Sequence, residues 1–255
     1  MEVATTVLSR REHFARVGST NDVVRDWLAS GTPEVCLAVA DEQTAGRGRD
    51  GRTWLAPPGA ALLLSLGFRP TWLAPDLVWR LPAVVSLAMA DAAEAAIGAA
   101  AGTVRLKWPN DLMIDGRKVA GVLGESVGLG TDDPRVIVGI GINVNWPADV
   151  TEGLPIDVAL GATAANLVSG REVDRDAVLT SLLDHLAVQI GSWTAVASAY
   201  RRACVTIGRA VRIELPDETF TGTAADVSDD GHLLVDIGMC LRTVTAGDVV
   251  HLRPI

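Results

Sequence analysis

Cysteine and histidine are scarce in this 255-residue chain, and each scarcity removes a class of chemistry. The three cysteines, Cys36, Cys204 and Cys240, are far apart and lie in or beside apolar segments. An odd, dispersed set supports neither a disulfide framework nor a zinc site with its usual spacing, so all three read as small buried hydrophobes. His13, His185, His232 and His251 are equally scattered, which leaves no metal cluster and no Ser-His-Asp arrangement to build on. His185, inside a helical pattern, reads as structural. Long apolar runs are missing too: stretches such as Ala83 to Ala90 fall well short of the roughly 18 to 20 residues a membrane span requires. Met1 to Arg11 is charged and has no apolar h-region, which argues against a secretory signal. A soluble, cytoplasmic protein is expected. No Gly-x-x-x-x-Gly-Lys-Ser/Thr occurs, and Gly139-Ile140-Gly141 lacks the third glycine of a dinucleotide fingerprint and runs into Trp146-Pro147, where no helix can open. Any nucleotide must be held by another device.

What the chain does have is a concentrated exception to its formal net charge of -9: Gly46-Arg47-Gly48-Arg49-Asp50-Gly51-Arg52. Glycine lets the main chain approach a ligand closely, and arginine presents a permanently charged fork matched to phosphate and carboxylate. A solvated linker or a weak RNA-binding segment is the plainer reading of Gly-Arg repeats. The shortness of this one, between the apolar runs Val35–Ala40 and Ala60–Gly67, favours a loop that binds an anion.

The rest of the chain reads as follows. A strand is expected at Phe14–Val17 and a helix at about 20–30, with Ser19 or Thr20 as N-cap and Gly31 past its end. Strands follow at Val35–Ala40 and Ala60–Phe68. Leu77–Ile97 is helical, with a kink or break expected at Pro82. Thr103–Lys107 is extended, and Trp108-Pro109 reads as the turn that ends it. Asp115-Gly116 between Leu112–Ile114 and Lys118–Leu123 is a strong hairpin signal, which places Lys107 and Lys118 on neighbouring strands. Arg135–Val144 is a strand whose glycines permit close backbone approach, and Asp174–Cys204 is helical with a break at Gly191. From Val205 onward, five short strands in about 50 residues suggest a small barrel. The expected units are a catalytic domain over 1–204 and a barrel over 205–255.

Five segments taken together are similar to a known family: Ser19-Thr20-Asn21; Gln43-Thr44-Ala45-Gly46-Arg47-Gly48-Arg49; Lys107-Trp108-Pro109-Asn110-Asp111; Gly116-Arg117-Lys118-Val119-Ala120-Gly121; and Gly139-Ile140-Gly141-Ile142-Asn143. The chain resembles the biotin protein ligases over about residues 14–255. The resemblance implies an α+β fold: a mixed β-sheet with flanking helices, like the catalytic domain of class II aminoacyl-tRNA synthetases, plus a small C-terminal SH3-like β-barrel. It implies that biotin and ATP, with Mg2+, give biotinyl-5′-AMP, and that the biotinyl group then passes to a lysine of a biotin carboxyl carrier protein. Some family members carry a DNA-binding domain ahead of the Ser-Thr-Asn segment. Only 18 residues precede Ser19 here, so the ligase-only class is expected, with no DNA or membrane partner.

Position by position, the resemblance implies that Ser19, Thr20, Asn21 and Gln43 hydrogen-bond the ureido ring of biotin. Arg47, Gly48 and Arg49 would lie over its carboxylate and the phosphates, and Trp54 would wall the pocket with Gly121. Arg52, Lys107, Asn110, Asp111 and Asn143 would contact ATP or the adenylate, Asp111 also magnesium. Lys118, with Arg49 and Lys107, would act at the reacting centre, and Arg253 would lie nearby. The physical logic agrees. Holding two unit anions 4 Å apart costs of order 4 kcal/mol at an effective dielectric of 20, so cations must offset it, and the substrates supply the nucleophiles. Two other readings stay open at this point. A lipoate ligase would use parallel chemistry, and a non-catalytic biotin-binding module would need fewer cations. Lys118 by itself also suits the polar face of a hairpin, and Ser19 or Thr20 a simple helix cap.

Overall fold

The computed structural model describes residues 8–147, 154–245 and 247–252. Within them the chain runs β1 (Arg10–Phe14), α1 (Thr20–Ala29), β2 (Cys36–Ala40), β3 (Ala61–Phe68), α2 (Arg80–Ile97), β4 (Arg105–Lys107), β5 (Asp111–Ile114), β6 (Arg117–Val127) and β7 (Arg135–Asn143). Short helices α3 (Ile156–Gly161) and α4 (Ala165–Ser169) lead to α5 (Arg175–Gly191) and α6 (Val196–Ala203). Then come β8 (Ala210–Glu214), β9 (Thr219–Val227), β10 (Leu233–Asp236), β11 (Leu241–Val244) and β12 (Asp248–His251).

The first seven strands form one mixed sheet in the order β1-β2-β3-β7-β6-β5-β4, antiparallel throughout except for the β1–β2 pair. Its two faces are covered by different helices. Leu62, Leu64 and Leu66 of β3 share a core with Leu81, Val85 and Met89 of α2 and Leu179, Leu182 and Leu186 of α5. On the other face Val24, Trp27 and Leu28 of α1 pack against Cys36, Ala38 and Ile137. Each such side chain stabilises the fold by about 1.5–3 kcal/mol on full burial. Alternation along β3 thus gives one face to α2 and α5 and leaves the other for α1 and the functional site.

Several expectations are corrected. The first strand lies at Arg10–Phe14 rather than Phe14–Val17; its residues are almost all exposed, so it carries no apolar alternation by which a sequence reading could find it. Pro82 neither kinks nor breaks a helix, because α2 begins at Arg80 and places the proline in its first turn, where a missing N–H costs nothing. Lys107 and Lys118 are not on adjacent strands: β5 runs between β4 and β6, pairing with both. Cys36 and Cys204 are buried but Cys240 is exposed.

The last five strands form an antiparallel sheet of order β11-β10-β9-β8-β12, with Val211, Ile213, Ala224, Val227, Leu233 and Val235 fully buried on its inner side. It is bound to the first sheet through a turn and a linker. Trp79 Nε1 donates to Asp229 O (2.9 Å), Trp108 Nε1 to Gly231 O (3.0 Å), and Arg201 pairs with Asp229 (2.6 Å). A Cβ on Gly231 would stand 2.5 Å from Trp79, so only glycine lets the turn lie this close to the indole.

Candidate active site

A cavity of about 320 Å³ lies where α1, the Arg-Gly loop, β4 to β7 and the C-terminal sheet meet. It brings together Ser19, Thr20, Asn21, Gln43, Arg47, Gly48, Arg49, Arg52, Trp54, Lys107, Asn110, Asp111, Lys118 and Gly121 from segments scattered over a hundred residues. Asn143 does not line it. That side chain is buried behind the wall, donating from Nδ2 to Thr163 O (3.0 Å) and leaving Oδ1 without a partner among the described residues. Arg253 lies outside the described residues.

One end of the cavity is polar and uncharged. Ser19 occupies the N-cap position of α1 with extended backbone, yet its side chain makes no cap hydrogen bond. The cap is supplied from outside: Gln43 Oε1 accepts from the Thr20 amide (2.7 Å) and from the Thr20 hydroxyl (3.0 Å). Ser65, the one polar residue in the β3 run, places its hydroxyl 2.7 Å from Thr20 Oγ1 and 2.6 Å from Asn21 Oδ1. This orients Asn21 so that Nδ2 is buried with no partner among the described residues, as is Trp54 Nε1. A buried orphan donor costs about 1–3 kcal/mol, so these groups await an acceptor. The glycines of β7 make the room: a Cβ on Gly139 would meet Asn21 Oδ1 at 2.2 Å, and one on Gly141 would meet Trp54 at 2.4 Å.

The other end is cationic. Lys118 Nζ lies 2.5 Å from Asp111 Oδ1 and 5.3 Å from the Trp54 ring centroid. Lys107 forms no ion pair among the described residues. Asn110 is fixed by donation from Nδ2 to Val122 O (3.0 Å). The three loop arginines differ in their engagements. Arg47 spends its fork on Asp22, with two contacts of 2.8 Å, and reaches Glu125 at 3.4 Å. Those hydrogen bonds hold the Asp22 carboxyl below the usual carboxylate range. Arg52 pairs with Asp248 of β12. Among the described residues Arg49 makes only a long contact to Gly247 O (3.4 Å) and a 3.9 Å approach to Asp50, so its guanidinium is the least committed of the three.

Sequence reasoning missed Asp22 and Ser65, and of the C-terminal segment it named only Arg253, not Glu214, Asp248, Val249 and Val250, which line the cavity. A lone serine inside an otherwise apolar strand was the available signal for Ser65. Nothing local marks Asp248 as facing a site built by residues two hundred positions earlier. Neither buried thiol is poised as a nucleophile: burial pushes both Cys36 and Cys204 up from the ordinary thiol value. Among the described residues no group of three or more His, Cys, Asp or Glu side chains could hold a metal by itself.

Residues 13–143 match the model of the biotin/lipoate A/B protein ligase family, and residues 206–252 match that of the biotin protein ligase C-terminal domain. The chain belongs to the biotin/lipoate A/B protein ligase family. Within it, the chain is 36% identical to the biotin–[acetyl-CoA-carboxylase] ligase of Mycobacterium tuberculosis, over 94% of this chain and 88% of that one. It is 31% identical to the bifunctional ligase/repressor BirA of Bacillus subtilis, over 91% of this chain and 71% of that protein. The structure of a biotin protein ligase from Aquifex aeolicus in complex with biotin and ATP superposes with a TM-score of 0.78 at 27% identity, covering 96% of this chain and 99% of that one.

Proposed function

We infer that the protein is an ATP-dependent biotin protein ligase. One observation carries the reading: a single cavity joins an uncharged end, whose donors have no partner among the described residues, to a cationic end built from two lysines and the loop arginines. A neutral cyclic urea with an acidic tail satisfies the first, and a triphosphate requires the second. A biotin-binding module would have no use for so many cations.

In the first step a biotin carboxylate oxygen forms a bond to the α-phosphorus of ATP as the bond to the β-phosphate bridge breaks, giving biotinyl-5′-AMP and pyrophosphate. Ser19, Asn21 and Gln43 hold the ureido head, with Ser65 fixing Asn21 from behind. Lys118, Lys107 and Arg49 offset the negative charge that accumulates where the two anions meet, which is the dominant catalytic contribution available to such a site. Arg47 acts chiefly as the tether of the loop to α1 through Asp22. Asp111 is the residue that would hold a magnesium ion travelling with the triphosphate, since magnesium is commonly bound by one or two carboxylates plus phosphates. In the second step a lysine amine attacks the acyl carbon, AMP leaves and the amine loses a proton. The acceptor lysine belongs to a biotin carboxyl carrier protein of a biotin-dependent carboxylase, a reading supported by two relatives named as ligases acting on acetyl-CoA carboxylase. No helix among the described residues is long and apolar enough to cross a membrane.

The test is ATP–pyrophosphate exchange with biotin, lipoate or octanoate supplied in turn. Exchange with biotin alone supports the reading, whereas exchange with lipoate alone would overturn it.

A further inference from the structure

The segment that carries Lys107, Asn110 and Asp111 is anchored by residues outside the cavity. β4 is the edge strand of the first sheet, and the linker that follows α6 is laid along that edge. Arg105 donates to Ala203 O (3.0 Å) and Arg202 O (3.1 Å), Val205 N donates to Leu106 O (2.7 Å), and Leu106 forms a parallel bridge with Cys204. At the next position the pattern changes. The Trp108 amide is received by a side chain, the hydroxyl of Thr206 (3.0 Å), which is fully buried. Thr206 Oγ1 also lies 3.1 Å from His251 Nε2 on β12. A hydroxyl can accept one bond and donate another, and His251 is held neutral because burial, then Lys107 and Arg209, push its pKa down to about 4. In the tautomer protonated at Nδ1, Nε2 accepts the Thr206 proton while the Thr206 oxygen accepts from the Trp108 amide.

We propose that Thr206, oriented by His251, is a positioning residue for the reaction, fixing the Trp108 backbone and with it the nucleotide-side groups Lys107, Asn110 and Asp111. The proposal rests on the ligase reading. Its selectivity comes from geometry: Thr20, Asn21 and Gln43 are fixed by one another and by Ser65, through contacts that Thr206 does not enter. Thr206 should therefore act on the ATP side of the site and leave the biotin side alone. Tyr200 braces the same segment from another direction, its buried hydroxyl donating to Pro109 O at 3.1 Å.

Thr206→Val keeps the shape and removes both hydrogen bonds, and Thr206→Ser keeps the hydroxyl. In pyrophosphate exchange, Thr206→Val is expected to lower kcat/KM for ATP about 10-fold, the scale of orphaning a buried amide, with the biotin KM unchanged. Thr206→Ser is expected to restore most of the loss. Hydrogen exchange, which needs no activity, should show faster exchange at the Trp108 amide in Thr206→Val and not in Thr206→Ser. Should Thr206→Val fail to fold, His251→Phe removes the acceptor of the Thr206 proton and carries the same two measurements. An unchanged ATP constant, an equal loss for biotin and ATP, or wild-type protection of the Trp108 amide would overturn the proposal. A wild-type protein without biotin-dependent exchange would instead overturn the ligase reading, and the Trp108 amide would still decide the anchoring.

Discussion

Lys118 Nζ sits 2.5 Å from Asp111 Oδ1, so the lysine assigned to the reacting centre is held by a carboxylate on the adjacent strand. Removing it does two things: it deletes a cation and leaves the Asp111 carboxylate uncompensated where two anions must meet. Lys118→Ala is expected to lower biotin-dependent pyrophosphate exchange about 100- to 1000-fold, the scale of losing one preorganised electrostatic contact. Both side chains are partly solvated, so the thermal midpoint should change little. Near-normal exchange in the variant would return Lys118 to the polar face of a hairpin.

Arg49 leads to a different outcome. Among the described residues its guanidinium has only long contacts, whereas Arg47 and Arg52 are committed to Asp22 and Asp248. Arg49 is therefore free to cover the adenylate and keep it from water. A charge-assisted hydrogen bond is worth roughly 1.5–3 kcal/mol, about 10- to 100-fold in retention. Arg49→Gly is expected to form biotinyl-5′-AMP and release it early, labelling lysines on a bystander such as albumin. A blot for biotin checks this; equal bystander labelling by wild type and an adenylate-forming variant would rule out the retaining role.

Gly139 tests the biotin end. Its added Cβ would stand 2.2 Å from Asn21 Oδ1, and Asn21 is buried and already bound to Ser65, so it has nowhere to swing. Gly139→Ala is expected to weaken biotin binding at least about 10-fold and to destabilise the fold by about 1–3 kcal/mol through overpacking. Isothermal titration calorimetry reads the first and chemical denaturation the second. Unaltered biotin affinity would mean that Asn21 does not touch the ligand.

His251 predicts a pH dependence of stability. Its pKa falls from 6.5 to about 4 in the folded protein, chiefly through burial. Between those values the unfolded chain binds a proton that the folded chain does not, so stability declines as pH falls through this window and the penalty levels off below it. Wild type should lose more stability than His251→Gln between pH 6.5 and pH 4. Parallel losses in the two proteins would show that the imidazole titrates normally.

Much of this was legible in the sequence, and the misses share a cause. Asp115-Gly116 announces the β5–β6 hairpin, and the apolar run of β3 announces a buried strand, because turn chemistry and burial are written locally. The strand at Arg10–Phe14 is exposed along nearly its whole length and pairs in parallel with β2, so no local pattern marks it. Pro82 looked like a break only because the start of α2 was placed too early. The five motifs name most of the cavity residues outside the C-terminal sheet, though not Arg52, Trp54 or Leu64. They are silent on Asp248 and Thr206, whose positions depend on how one sheet docks on another.

That docking limits how the chain can be recombined. Trp79, Trp108 and Arg201 grip the turn around Asp229 to Gly231, while Asp248 reaches back to Arg52. A change on one side of these pairs therefore has to be matched on the other. A chimera that takes residues 206–252 from a relative would exchange half of each of these pairs, and would work only if the matching residues of the first sheet were transplanted with them.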